Sequence, residues 1–135
     1  ERQARRYRRA LQAMQQDAAE APVAVNRTTF LADTDAQARR EGKPFVTSVL
    51  DFYAAFGAIT DSEGHARDPQ SDLFEQVGDE VHFTGSPASC IASMRRYIDA
   101  GVTQFNFRVS MGDMPRELVE RTVRLLGEQV LPEFR

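Results

Sequence analysis

Apolar positions recur along the chain with two different periods, and the switches between them predict its elements. Over residues 1–19, Ala4, Tyr7, Leu11, Met14 and Ala18 fall at steps of three and four, the spacing of a single stripe on an otherwise charged helix. Ala21 and Pro22 end it. Residues 23–31 (VAVNRTTFL) are rich in β-branched side chains and read as a strand. Thr34 then stands where a helix cap belongs, with Gln37 in the reciprocal capping position. That helix carries Ala36 and Ala38 and is punctuated by Gly42 and Pro44. A second helix is expected from about Phe45 to Phe56, with Val46, Val49, Leu50, Tyr53 and Ala54 on its apolar side.

Residues 57–72 (GAITDSEGHARDPQSD) break the periodicity and read as a polar, mobile surface excursion. Val81 and Phe83 alternate with polar neighbours, enough for a short extended piece. Ser86-Pro87 is a helix start, a capping hydroxyl followed by proline at the first helical position. Ile91, Met94 and Ile98 form the expected buried stripe of this helix, flanked by Cys90 and Tyr97, and Gly101 ends it. Residues 102–110 (VTQFNFRVS) are a second strand, and residues 115–130 a final amphipathic helix with Leu118, Val119, Val123, Leu126 and Val130 inward.

Strands separated by helices pair in parallel through right-handed crossovers, so the fold class is α/β. Two parallel strands cannot bury both of their faces unaided. A (β/α)₈ barrel of roughly 250 residues supplies the missing strands. On this reading residues 1–135 are the C-terminal portion of a single barrel domain, its last two strand–helix units, incomplete as it stands. Glu1 falls inside the first helix with no initiator Met before it, which agrees with that expectation.

Composition narrows the function. With 41% hydrophobic and 27% charged residues, the chain is ordinary for a globular protein, which excludes wholesale disorder. A net charge of −3 gives no electrostatic reason to expect nucleic acid or an anionic membrane as partner. The basic cluster Arg5, Arg6, Arg8 and Arg9 is flanked by Glu1, Asp17 and Glu20 and reads as a solvated helix face. Cys90 is the single cysteine, so no internal disulfide forms and a reducing, cytoplasmic setting is the expectation. No apolar run reaches the roughly 18 residues of a membrane helix.

The second strand carries the most chemistry. Its alternation puts Phe105, Phe107 and Val109 on one face and Gln104, Asn106, Arg108 and Ser110 on the other. In a barrel the aromatic face packs on outer helices and the polar face points toward the axis. Arg108 lies near the C-terminal end of its strand, where barrel enzymes build active sites. Arg108 and the loop Met111-Gly112-Asp113-Met114 are therefore candidates to line a substrate or cofactor, with Asn106 and Ser110 on the same wall. The plainer alternative is that Arg108 pairs with a carboxylate of another strand. In the first strand, Asn26 and Thr28 share one face and Arg27 and Thr29 the other, and either pair could look inward; Arg27 is kept as a candidate. Gly85-Ser86-Pro87 opens a helix whose free N–H groups could hold a phosphate, although a plain helix cap explains the same residues. His65 and His82 lack ligand-spaced partners for a metal site. Cys90 reads as a buried, inert thiol. No Ser–His–Asp set, P-loop or dinucleotide fingerprint is present, and catalytic residues are expected upstream of Glu1.

Four stretches, in order, resemble one family. Residues 25–38 (VNRTTFLADTDAQA) are similar to the strand and A-D/E-T-D-x-x-A stretch of the bacterial-luciferase-like flavin-dependent monooxygenases. Residues 83–101 (FTGSPASCIASMRRYIDAG) resemble that family's G-S/T-P helix unit. Residues 101–114 (GVTQFNFRVSMGDM) resemble its last strand and loop, and residues 125–134 (LLGEQVLPEF) its closing helix with a V-x-P turn. The resemblance implies a soluble (β/α)₈ barrel that oxidises a small organic substrate with molecular oxygen. It implies reduced flavin mononucleotide (FMN) delivered by a separate flavin reductase, and often a homodimer. A related branch uses a deazaflavin coenzyme for hydride transfer instead. A non-catalytic interaction or dimerisation module is the reading from a different class. Most flavin contacts would lie on strands preceding this stretch, so the isolated segment is expected to be inactive and to associate with itself or with the missing N-terminal portion.

Overall fold

The computed structural model describes residues 2–15, 17, 21–61, 63–68 and 70–135. Within them the chain forms α1 (Arg2–Ala13), β1 (Ala24–Leu31), α2 (Asp35–Ala55), α3 (Leu73–Val77), β2 (His82–Gly85), α4 (Pro87–Asp99), β3 (Gln104–Arg108) and α5 (Arg116–Leu125). Ala18, Glu1 and Glu20 of the first helical stretch lie outside the described residues.

The strands make a three-stranded parallel sheet in the order β2-β1-β3, an α/β arrangement as expected. Three strands replace the two anticipated. The short piece around Phe83 is β2, which pairs with β1 only over Thr28–Leu31. Successive strands of a (β/α)₈ barrel are neighbours in chain order, whereas here β1 separates β2 from β3. Among the described residues the sheet is open, and its order departs from a simple barrel arc.

Side chains alternate across the sheet and meet different helices on the two faces. Phe30 belongs to a cluster with Ala38, Val46 and Leu50 of α2 and Leu73 and Phe74 of α3. Leu31 and Phe83 belong to a second cluster with Cys90 and Met94 of α4 and Leu125, Leu126 and Val130 at the C-terminus. Phe105 and Phe107 pack against that second cluster, so the aromatic face of β3 meets helices, as its alternation predicts. The first half of β1 is exposed or half-buried, and Thr28–Leu31 are buried.

α2 is one continuous helix through Gly42 and Pro44, where two helices were expected. Pro44 deprives the Arg40 carbonyl of its helical N–H partner. The helix nonetheless continues, because Ala38, Gly42, Val46, Leu50 and Ala54 recur every four residues and are all buried. Gly42 is set by packing and does not stop the helix: a Cβ there would sit 2.6 Å from Cγ and Cδ1 of Phe30. Thr34 caps α2 by accepting from the Gln37 N–H at 3.2 Å.

The stripes expected for the later helices hold at most positions and fail at Ile98 and Val123. In α4, Pro87, Cys90, Ser93 and Met94 are buried, while Ile98 is 42% exposed. Of the stripe expected over 115–130, Leu126 and Val130 are buried and Leu118 and Val119 pack on the core, while Val123 is exposed and Thr122 and Leu125 join the buried side. After α5 the backbone widens into a π turn over Leu126–Val130, where the Leu131 N–H reaches the Leu126 carbonyl. Pro132, next in the chain, has no N–H to continue a regular ladder. Among the described residues of the first predicted stripe, only Ala4 is buried; Tyr7 and Met14 are exposed. Arg8 instead anchors α1, donating to the Gly101 carbonyl at 3.2 Å. That residue follows the C-terminus of α4, where a cation is favoured. Among the described residues no helix is long and apolar enough to cross a membrane.

Candidate functional site

Register decides which polar residues share a surface. Asn26 lies opposite Asn106, and Thr28 opposite Arg108. The face left ambiguous by the sequence of β1 is therefore settled: Asn26 and Thr28 join Asn106 and Arg108. Arg27 stands opposite Phe107 and looks the other way. Its Nε donates to the Tyr97 hydroxyl at 2.9 Å, its Nη1 to the Asn26 carbonyl at 2.8 Å, and its guanidinium lies 4.7 Å from the Tyr97 ring centroid. Tyr97 in turn donates to the Glu80 carbonyl at 2.7 Å. Arg27 thus ties β1 to α4 on the face opposite Arg108, and it does not join the other candidates.

Gln104 and Asn106 are exposed, and Arg108 is half-buried at the end of the strand. The C-terminal part of α2 brings Tyr53 to it. Arg108 Nη2 donates to the Tyr53 hydroxyl at 2.7 Å, with the guanidinium 5.3 Å from the ring centroid. Beside this pair lies a hollow of about 220 Å³ lined by Asn26, Thr28, Tyr53 and Arg108 on the polar side, and by residues including Val49, Leu50 and Ile59 on the apolar side. The carboxylate partner anticipated for Arg108 is not found among the described residues; its hydrogen bond goes to a phenol. Tyr53 had read as one more apolar position of a helix, and nothing in its spacing sets it apart.

Of the loop candidates, Met111 is 2% exposed and packs in the cluster of Phe30 with Met114. It is a core residue in this chain. Ser110 and Gly112 are exposed on the same loop, where Gly112 takes φ +53°, a left-handed turn that glycine adopts at little cost.

The N-terminus of α4 already has an anion. Asp35 Oδ1 accepts from the Ser86 N–H at 2.6 Å and Oδ2 from the Ser89 hydroxyl at 2.9 Å. The Ser86 N–H, with the Ser89 and Ser86 hydroxyls, holds the Asp35 carboxyl below the usual carboxylate range. Gly85 leaves room for this contact, since a Cβ there would lie 2.8 Å from Asp35 Oδ1. Ser86 also caps its own helix through the Ser89 N–H. Ser86 is a helix cap, and a phosphate would have to displace a carboxylate.

His82 is buried in β2 and stacked on Phe74, with centroids 4.5 Å apart. Nε2–H donates to the Phe74 carbonyl at 3.2 Å, and Nδ1 accepts from the Thr84 hydroxyl at 3.0 Å. Burial lowers its pKa. Burial also pushes the Cys90 thiol up to about 12, which removes its thiolate at neutral pH. No group of three or more His, Cys, Asp or Glu able to hold a metal ion occurs among the described residues.

No family model matches the chain, and no curated protein matches it. Among solved structures it is similar to the monooxygenase RslO1 from Streptomyces bottropensis, with 22% sequence identity and a TM-score of 0.73. The match covers 98% of this chain and 37% of that one. The likeness is one of fold. The chain thus spans little more than a third of the length of the protein it matches, and nearly all of its own elements find counterparts there.

Proposed function

We propose that this segment is the C-terminal part of a luciferase-like, flavin-dependent monooxygenase, forming one wall of its (β/α)₈ barrel. The enzyme oxidises a small organic substrate with molecular oxygen and reduced FMN from a partner reductase. The observation that carries the reading is the fold likeness to a monooxygenase over 98% of this chain; the sheet itself has α2 over its polar side and α4 over its aromatic side. Asn26, Thr28, Asn106 and Arg108 stand in register on adjacent parallel strands, with Arg108 at the C-terminal end where barrel sites are built. The four motif resemblances support the same reading.

The sheet edges are compatible with a larger assembly. β2 pairs only with Thr28–Leu31 of β1, and no strand pairs with the other edge of Ala24–Arg27 among the described residues. A preceding strand could add there, and another along the outer edge of β3. On this reading Asn106, Arg108, Ser110 and Gly112 line the substrate or the flavin ring, which when bound activates oxygen. The flavin phosphate does not fit at Ser86, because Asp35 fills that helix end.

The test uses the intact protein. FMN titration should saturate at one flavin per chain, and oxygen uptake with enzymatically reduced FMN should depend on substrate. Retention of a deazaflavin in place of FMN would move the protein to the related oxidoreductase branch. Binding of neither would overturn the reading and leave an interaction module.

A further inference from the structure

The hollow beside Arg108 combines features that do not belong to a structural arginine. Its guanidinium is half-buried, yet its recorded partner is a neutral phenol at 2.7 Å, and no ion pair reaches it among the described residues. A half-buried guanidinium with one neutral partner has further N–H donors to offer an anion. Asn26 and Thr28, across the register from Asn106 and Arg108, add short polar side chains to the same wall. The remaining wall is apolar, with Val49, Leu50 and Ile59 among its residues. An inorganic anion would leave that apolar wall unused.

We infer that this hollow binds an organic carboxylate. The carboxylate accepts from the Arg108 guanidinium, whose planar fork suits two parallel hydrogen bonds, and the apolar body lies against Val49 and Ile59. At about 220 Å³ the hollow suits a small acid such as benzoate or hexanoate. Tyr53 is a positioning residue: its hydroxyl holds one guanidinium nitrogen and orients the rest of the fork. As the substrate site this rests on the flavin-enzyme reading; as a binding site it does not.

The experiment is calorimetric titration of the intact protein at pH 7.5 (roughly three units above a carboxylic acid pKa) with benzoate and hexanoate. The matched neutral probes are benzyl alcohol and hexanol, and inorganic phosphate is the third class. Saturable carboxylate binding is expected. The alcohols should bind at least about tenfold more weakly, as should the carboxylates to Arg108→Gln, whereas Arg108→Lys should retain part of the affinity. Thermal unfolding of the variants shows that each is folded. Equal binding of acid and alcohol, unchanged binding by folded Arg108→Gln, preference for phosphate, or no saturation would each overturn the inference. Carboxylate binding without flavin binding would sink the flavin reading and leave this one standing.

Discussion

Replacing Thr122 by valine tests how the C-terminal end of β1 is completed. Leu31 and Thr122 are both 0% exposed, and the Leu31 N–H donates to Thr122 Oγ1 at 3.2 Å. The Leu31 carbonyl accepts from Arg121 Nε at 3.3 Å, so two consecutive residues of α5 satisfy both backbone groups of one strand residue. Valine keeps the shape of threonine and removes the acceptor. A buried N–H left without a partner costs about 1–3 kcal/mol. With an unfolding entropy near 2.1 cal/mol/K per residue and 135 residues, each kcal/mol lowers Tm by roughly 3.5 °C. Thr122→Val should therefore melt about 4–10 °C below the parent by circular dichroism, and its urea midpoint should fall with an unchanged m-value. Thr122→Ser keeps the hydroxyl and should recover much of the loss. A Thr122→Val protein as stable as the parent would refute the claim that this side chain completes the strand.

Two further predictions follow from packing and burial. Gly42→Ala should destabilise by about 1–3 kcal/mol, the cost of overpacking, because its Cβ meets Phe30 at 2.6 Å. Alanine would stabilise an unconstrained helix position, so any gain in urea midpoint would count against that contact. Burial lowers the pKa of His82 in the folded chain, while an unfolded histidine titrates near 6.5. Below about pH 6.5 the unfolded state then binds more protons, so stability is fully present above that value and declines as pH falls. His82→Gln should flatten this decline between about pH 7 and 5 relative to the parent; identical pH profiles for the two proteins would exclude the buried imidazole as its source.

Local chemistry made some of these elements legible and distance hid others. The starts of α2 and α4 follow from Thr34 and Ser86, whose caps reach residues three positions away. The continuity of α2 was hidden, because Gly42 answers to Phe30 on a different element and alone looks like a helix stop. For β2, four residues long, the alternation of Val81 and Phe83 marked an extended piece but not its place in the sheet. The aromatic and polar faces of β3 could be read from alternation. The facing of Arg27 could not, since it depends on the pairing of Val25 with Phe105. Tyr53 and Asp35 join their sites from 55 and 51 residues away, separations at which sequence spacing carries no signal.

The carboxylate seated on α4 also bears on how the protein meets its surroundings. A helix end that carries its own counter-ion is insensitive to the phosphate and nucleotide concentrations around it. The same arrangement ties the chain just after β1 to the chain just after β2, so the two loops at that rim move as one. Exchanging Asp35 for a neutral residue would therefore both loosen the rim and create an appetite for anions that the natural sequence keeps satisfied internally.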